Sequence, residues 1–390
     1  MKPPGSGKTA AAPQGGVKAQ ERPFAFAAAG ETLAERVVAW QRRHGRHALP
    51  WQQTRDPYRV WLSEIMLQQT QVSTVLGYYQ RFLERFPDVA ALAAASADDV
   101  LALWAGLGYY SRARNLHRCA QVVVAEHGGA FPRSAQLLTT LPGIGRSTAA
   151  AIAAFCFDER VAILDGNVKR VLTRALGFGD DLAQARHEKV LWARAEALLP
   201  QPEGMVAYTQ GLMDLGATLC SQRAPRCNAC PLTDDCVAKR EGRPEDYPVK
   251  TRKLKRGQRA ITLLWLTQGE QVWLVRRPAT GIWAGLWSLP EFGSADELQQ
   301  ALSDWPGASE VLPSFTHVLT HLDLQLQPVQ HRLPTSTRRE AALKERWPDG
   351  RWVERRELAA FGLPAPVTRL LGRSDQLFAA QELVDQPEPL

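Results

Sequence analysis

Between Glu31 and about Ala238, apolar positions recur every three or four residues, the period of helices that bury one face. The spacing predicts a helix starting at Asp56-Pro57, with the aspartate as N-cap and the proline in the first turn. Further helices are predicted over roughly 70–86, 96–104, 111–127, 134–140, 146–155, 166–175, 184–199 and 204–216, and strand signal is nearly absent. Beyond residue 259 the period changes. ITLLWLTQGEQVWLVRRP reads as two strands around a QGEQ turn, and strands then mix with short helices. The pattern predicts a mainly α N-terminal domain over 31–249 and an α+β C-terminal domain over 260–375. Between them, KTRKLKRGQR (250–259) carries six basic residues in ten and reads as a linker. Residues 1–30, rich in Ala, Gly, Pro and Lys without periodicity, read as a disordered tail, and residues 376–390 as a second loose tail.

Composition narrows the class. A chain of 390 residues with 45% hydrophobic content suits two ordinary globular cores. The formal charge of +7 is compatible with a polyanionic partner but is weak evidence by itself. No run of 18 apolar residues exists, so no membrane span is expected. FAFAAA at 24–29 is too short for a signal-peptide core, so the expected location is cytoplasmic. In that reducing compartment, clustered cysteines bind metals more readily than they form disulfides.

Four of the six cysteines, Cys220, Cys227, Cys230 and Cys236, lie in one stretch, CSQRAPRCNACPLTDDC. Such a set can bind zinc or an iron–sulfur cluster, and only Cys227 and Cys230 have the spacing of a zinc knuckle. Cys119 and Cys156 sit in apolar helical contexts and read as buried. In LPGIGRSTAAAIAAF, Gly143 and Gly145 form a turn between two helices, where backbone N–H groups and a helix N-terminus can approach a phosphate. Twenty residues after Gly145, Asp165 precedes a helix in LDGNVKRVLTR. The plain role there is an N-cap, but its lead-in Val161–Leu164 argues for a partly buried carboxylate. Asn167, Lys169 and Arg170 follow it. In VWLSEIMLQQTQV, Glu64 stands among Leu62, Ile65, Met66 and Leu67. Desolvation would raise its pKa, as a general acid requires. Gln68 and Gln69 close that helix with amides able to enter a base stack. Tyr109 in GLGYYSRARN is either a core aromatic or an intercalating wedge.

Together HALPWQ, VWLSEIMLQQTQV, GLGYYSRARN, LPGIGRSTA, LDGNVKRVLTR and the cysteine loop, over residues 46–236, resemble the MutY family of adenine DNA glycosylases within the endonuclease III superfamily. The resemblance implies a helix–hairpin–helix glycosylase fold with a 4Fe–4S loop at 220–236 held by the four clustered cysteines. It implies Glu64 as acid/base and Asp165 as stabiliser of the sugar cation. Gln68, Gln69, Tyr109, Gly143, Gly145, Ser147, Asn167 and Lys169 become DNA contacts, with Gln69 and Tyr109 as wedges. Bifunctional relatives carry a lysine where this chain has Ser147, so a monofunctional hydrolase is expected. The implied substrate is duplex DNA with adenine opposite 8-oxoguanine or guanine, handled by a monomer that is nucleoid-associated if bacterial.

The C-terminal domain resembles the Nudix-like lesion-recognition module of the family. Gly285 and Glu291 fit the first half of the Nudix box, whereas Gln299, Gln300, Ser303 and Asp304 stand where Arg, Glu, Glu and Glu belong, so no pyrophosphatase activity is expected. Leu319, Thr320 and His321 align with the family's Phe-Ser-His recognition triplet, on a stretch that reads as strand. Two rival functions remain: a bifunctional endonuclease III-like glycosylase/AP lyase for oxidised pyrimidines, and a non-enzymatic iron–sulfur DNA-binding protein.

Overall fold

The computed structural model describes residues 31–251, 256–337 and 339–372. The two expected tails and residues 252–255 of the basic linker lie outside the described residues.

The helical part runs α1 (Leu33–His44), α2 (Pro57–Leu67), α3 (Val72–Arg85), α4 (Val89–Ala94), α5 (Ala97–Trp104), α6 (Ser111–His127), α7 (Ala135–Leu138), α8 (Arg146–Phe157), α9 (Gly166–Leu176), α10 (Ala185–Ala197), α11 (Met205–Thr218) and α12 (Val237–Arg240). Several starts are set by local chemistry. Asp56 accepts the amide of Tyr58 at 2.9 Å ahead of Pro57, Ser96 accepts that of Asp99, and Thr32 and Glu35 form a reciprocal capping box on α1. Short α4 was not expected.

The C-terminal part holds β1 (Gly257–Gln268), β2 (Gln271–Arg276), β3 (Trp287–Ser288), β4 (Glu291–Phe292), α13 (Ala295–Ala301), β5 (Ala308–Val311), β6 (Phe315–Val318), β7 (Leu322–Leu333), α14 (Glu340–Arg346) and β8 (Arg351–Glu354). β1 and β2 form the expected antiparallel hairpin, with Gln268 opposite Gln271. β1 also runs parallel to the whole of β7, Gly257 opposite Leu322 through Gln268 opposite Leu333. Because β1 begins at Gly257, the last residues of the expected linker are strand. The stretch FTHVLTHLDL is not one strand. β6 ends at Val318, Leu319 N–H donates to Leu322 O at 2.8 Å, and residues 319–321 form the tight turn into β7. No Gly or Asn marks this turn, so its strand-like composition concealed it.

The largest apolar cluster is shared by the two parts. It includes Trp61, Leu62, Leu101 and Trp104 of the helices with Leu263, Leu324, Leu363 and Leu371 of the C-terminal region. Gly362 lies so close to α5 that a Cβ there would sit 2.9 Å from Leu101 Cβ. Tyr110 donates to Leu363 O at 3.3 Å, Arg114 to Ala284 O at 2.7 Å, and Arg276 pairs with Asp98 at 2.9 Å. Among the described residues no helix is long and apolar enough to cross a membrane.

Candidate active site

α2 buries Trp61, Leu62 and Met66 completely and Ile65 almost so. Glu64 falls on the remaining face and lines a cleft of about 400 Å³ together with Arg46, Trp51, Gln52, Phe155 and Gln210. Among the described residues its carboxyl has no hydrogen-bond or ion-pair partner. Loss of water around it pushes its pKa up to about 8, and the negative charge of Asp165 adds to the rise. Part of its surface faces the cleft, so the group is both protonated at neutral pH and reachable.

Asp165 is the N-cap of α9, as its place before the helix predicts: Oδ1 accepts Val168 N–H at 2.7 Å. Burial raises its pKa, opposed by hydrogen bonds from the amides of Val168 and Asn167 and by the charges of Arg170 and Lys169. Those donors, at a helix N-terminus, favour the anion. Ser147 sits at the start of α8, and its hydroxyl accepts Leu164 N–H at 2.9 Å, fastening the segment that leads into Asp165.

The hairpin between α7 and α8 separates its two glycines. Gly143 has φ +76°, and a Cβ there would meet Asn115 Cβ at 2.7 Å. Gly145 has φ −82° and open space around it. Both are exposed. Of the residues after Asp165, Lys169 pairs with Glu188 at 2.5 Å and the Asn167 amide oxygen accepts from Arg170. Arg170 also donates to Cys220 O and Gly216 O, so it braces α9 against the cysteine loop instead of presenting a free cation.

Two exposed residues project from loops with left-handed backbone, Gln69 at φ 57° and Tyr109 at φ 47°. Tyr109 is 44% exposed, which removes its core reading. Its hydroxyl lies 2.8 Å from Thr320 Oγ1, a pairing across 211 residues of sequence. Gln68 approaches Thr148 Oγ1 at 3.5 Å. Thr320 and His321 are exposed on the β6–β7 turn, while Leu319, expected as an apolar wedge, is half-buried against the core and leaves Val318 as the exposed apolar residue there.

Cys220, Cys227, Cys230 and Cys236 line one small pocket with Arg174, Thr233 and Lys239. Among the described residues none of the four forms a disulfide. Arg174, 2% exposed, approaches Cys220 Sγ at 3.3 Å and donates to Ser221 O and Gln222 O. Burial pushes Cys230 up to about 11 and raises Cys236, each helped by the neighbouring thiols. Among the described residues no group of three or more His, Cys, Asp or Glu is placed to hold a single metal ion. Cys119 and Cys156 lie buried elsewhere, their thiols pushed up to about 12.

Residues 62–196 match the family model of the HhH-GPD superfamily base excision DNA repair protein, and residues 261–373 that of the NUDIX domain. A thermostable thymine-DNA glycosylase of known structure superposes with a TM-score of 0.47 at 27% identity, covering 53% of this chain and 95% of that one. The adenine DNA glycosylase of Homo sapiens is 33% identical over 372 residues, 77% of this chain and 68% of that protein. That of Buchnera aphidicola is 35% identical over 345 residues, 87% of this chain and 96% of that protein. The chain belongs to the adenine DNA glycosylase family.

In this adenine DNA glycosylase family member, the Nudix-like part is built around its sheet with its box altered in detail. Glu291 is held by Arg277 in a largely buried ion pair at 2.6 Å, and Gln299, Gln300, Ser303 and Asp304 point to the exposed side of the chain. Two residues important to the site's geometry carry no sequence signal of their own. Gln210 reads as a polar position on α11, yet it lines the Glu64 cleft and donates to Asp214 at 2.9 Å. Arg112 reads as one charge on a basic helix, yet it is buried and bonded to both left-handed loops.

Proposed function

We propose that this protein hydrolyses the N-glycosidic bond of adenine paired with 8-oxoguanine or guanine in duplex DNA, leaving the strand intact. The observation that carries the reading is Glu64, a cleft-lining carboxyl whose pKa near 8 keeps its proton at neutral pH while Asp165 acts on it electrostatically. The target base leaves the stack and enters the cleft. Gln210 and Trp51 line that cleft beside Glu64. Glu64 donates its proton to a ring nitrogen, N7 by family resemblance, and the departing base takes the bond's electron pair. Positive charge then grows on the sugar, and Asp165, whose anionic form its two amide donors favour against burial, stabilises it. Glu64, now anionic, withdraws a proton from the attacking water.

Ser147 brings no amine, so no Schiff base forms with the sugar. Gln69 and Tyr109 enter the stack as wedges, and Gly143 and Gly145 present backbone N–H groups to a phosphate. Thr320 and His321, beside Tyr109, contact the opposite base, where 8-oxoguanine differs from guanine by an oxygen and a ring N–H. The four cysteines on one pocket, with buried Arg174 beside them and only Cys227 and Cys230 at the spacing of a zinc knuckle, favour a 4Fe–4S cluster over zinc. Such a cluster supplies a structural clasp for the 220–236 loop. Anaerobically purified protein is expected to hold about four irons per chain; stoichiometric zinc without iron would refute it. We place the protein in the cytoplasm with the DNA, acting as a monomer.

The reaction is tested on duplexes carrying adenine opposite 8-oxoguanine, guanine or thymine, and on an oxidised pyrimidine, each with and without alkali. Adenine release opposite 8-oxoguanine, with strand breaks only after alkali, supports the proposal. Breaks without alkali, with covalent trapping by borohydride, would point to the bifunctional rival. No base release with tight binding would point to the non-enzymatic one.

A further inference from the structure

Arg112 lies at the first turn of α6, 8% exposed, and its two Nη nitrogens share their four hydrogens among six acceptor oxygens. Nη1 donates to Ile65 O at 3.0 Å, Met66 O at 2.9 Å and Gln68 O at 2.7 Å. These carbonyls end α2, where no intrahelical amide remains to satisfy them and the helix dipole favours a cation. Nη2 donates to Thr70 Oγ1 at 3.2 Å, Leu107 O at 3.0 Å and Gly108 O at 3.2 Å. One planar group thus grips the residues on both sides of Gln69 and the two residues before Tyr109. The guanidinium also lies over the rings of Trp104 and Tyr109, at 5.3 and 5.5 Å from their centroids.

Left-handed backbone at Gln69 and Tyr109 is strained for residues with a Cβ and persists only where the surroundings impose it. Neither side chain offsets that strain by burial, since both are exposed. Burial of these two side chains therefore gives no reason for the strain at their own positions. A side chain pushed into a base stack meets a restoring force, and a loop free to bend yields before the stack does.

We propose that Arg112 is a positioning residue that yokes the loops of Gln69 and Tyr109 so that both enter the stack as one rigid wedge. This rests on the wedge roles given above. Lysine cannot replace it, because three donors on one nitrogen do not reproduce a planar fork reaching two loops.

The test is a mutant cycle on single-turnover adenine release. It compares wild type, Arg112→Lys, the double variant Gln69→Ala/Tyr109→Ala, and all three substitutions together. Arg112→Lys is expected to slow release from a mispaired duplex by about tenfold, the scale of losing charge-assisted hydrogen bonds. It is expected to add almost nothing where the wedges are already absent. It should also cost little when the adenine faces an abasic site, where less unstacking is needed. An equal factor in both backgrounds assigns Arg112 to general maintenance of the fold and overturns the inference. Unchanged release by the wedge-free variant would overturn the wedge reading beneath it. Should Arg112→Lys fail to fold, Thr70→Val removes a single bond of the yoke from a half-buried position, and the same cycle decides.

Discussion

Glu64 keeps its proton because the protein around it excludes water, and the direction of that effect is measurable. In the unfolded chain the group loses its proton near 4.5, whereas in the folded protein it holds it to about 8. Between these values the folded state binds the extra proton, so Glu64 costs progressively more stability as pH rises, and the cost is constant above the folded pKa. Glu64→Gln is therefore expected to raise the melting temperature, with little gain near pH 4.5 and the full gain by about pH 8. The same variant should release no adenine, since an amide delivers no proton. Wild-type release under kcat/KM conditions should fall as pH climbs through about 8, and a rate that keeps rising there would remove Glu64 as the acid. Asp165→Asn makes the complementary case. Asparagine is as good an N-cap as aspartate, so thermal stability should hold. The sugar cation loses its counter-charge, and single-turnover release should drop by on the order of a hundredfold or more.

The hairpin and the wedge loops show how an element's chemistry divides between visible and hidden signals. Asp56-Pro57, Ser96 and the Gly-Ile-Gly turn act within a few residues, so the start of α2, the start of α5 and the α7–α8 turn are legible from sequence. So is the apolar company of Glu64, because it comes from its own helix. α4 is hidden by its alanine-rich stretch VAALAA, which has no polar face to set a period. The Tyr109–Thr320 contact and the Arg112 bonds to Ile65, Met66, Gln68 and Thr70 join segments far apart in sequence, and no local pattern reports them. The two hairpin glycines give a direct comparison. Gly143→Ala places a Cβ against Asn115 and strains a left-handed residue, at a cost of on the order of 1–2 kcal/mol. It should weaken duplex binding and lower the melting temperature. Gly145→Ala meets neither obstacle and loses only a glycine N-cap, so it should cost less stability, and equal losses in both variants would contradict this account.

Over the whole molecule, the change of period near residue 259 reveals two architectures but says nothing of how strongly they depend on each other. The shared apolar cluster supplies that information. A chain cut before Gly257 loses Leu363, Val367 and Leu371 from a cluster that includes Leu101 and Trp104. It should melt at a lower temperature than the full chain, and its preference for 8-oxoguanine over guanine should shrink with the loss of Thr320 and His321. The ratio of single-turnover rates on the two duplexes checks the second point, and an unchanged ratio would remove the C-terminal part as the reader. The tight seating of Gly362 against Leu101 reaches further. Two bodies that share one interior have no separate melting points. Calorimetry of the full chain should show a single transition whose van't Hoff and calorimetric enthalpies agree. A cavity cut into the sheet, such as Leu326→Ala, should then reduce the fraction of molecules able to excise adenine near their melting temperature, although Glu64 and its cleft are untouched.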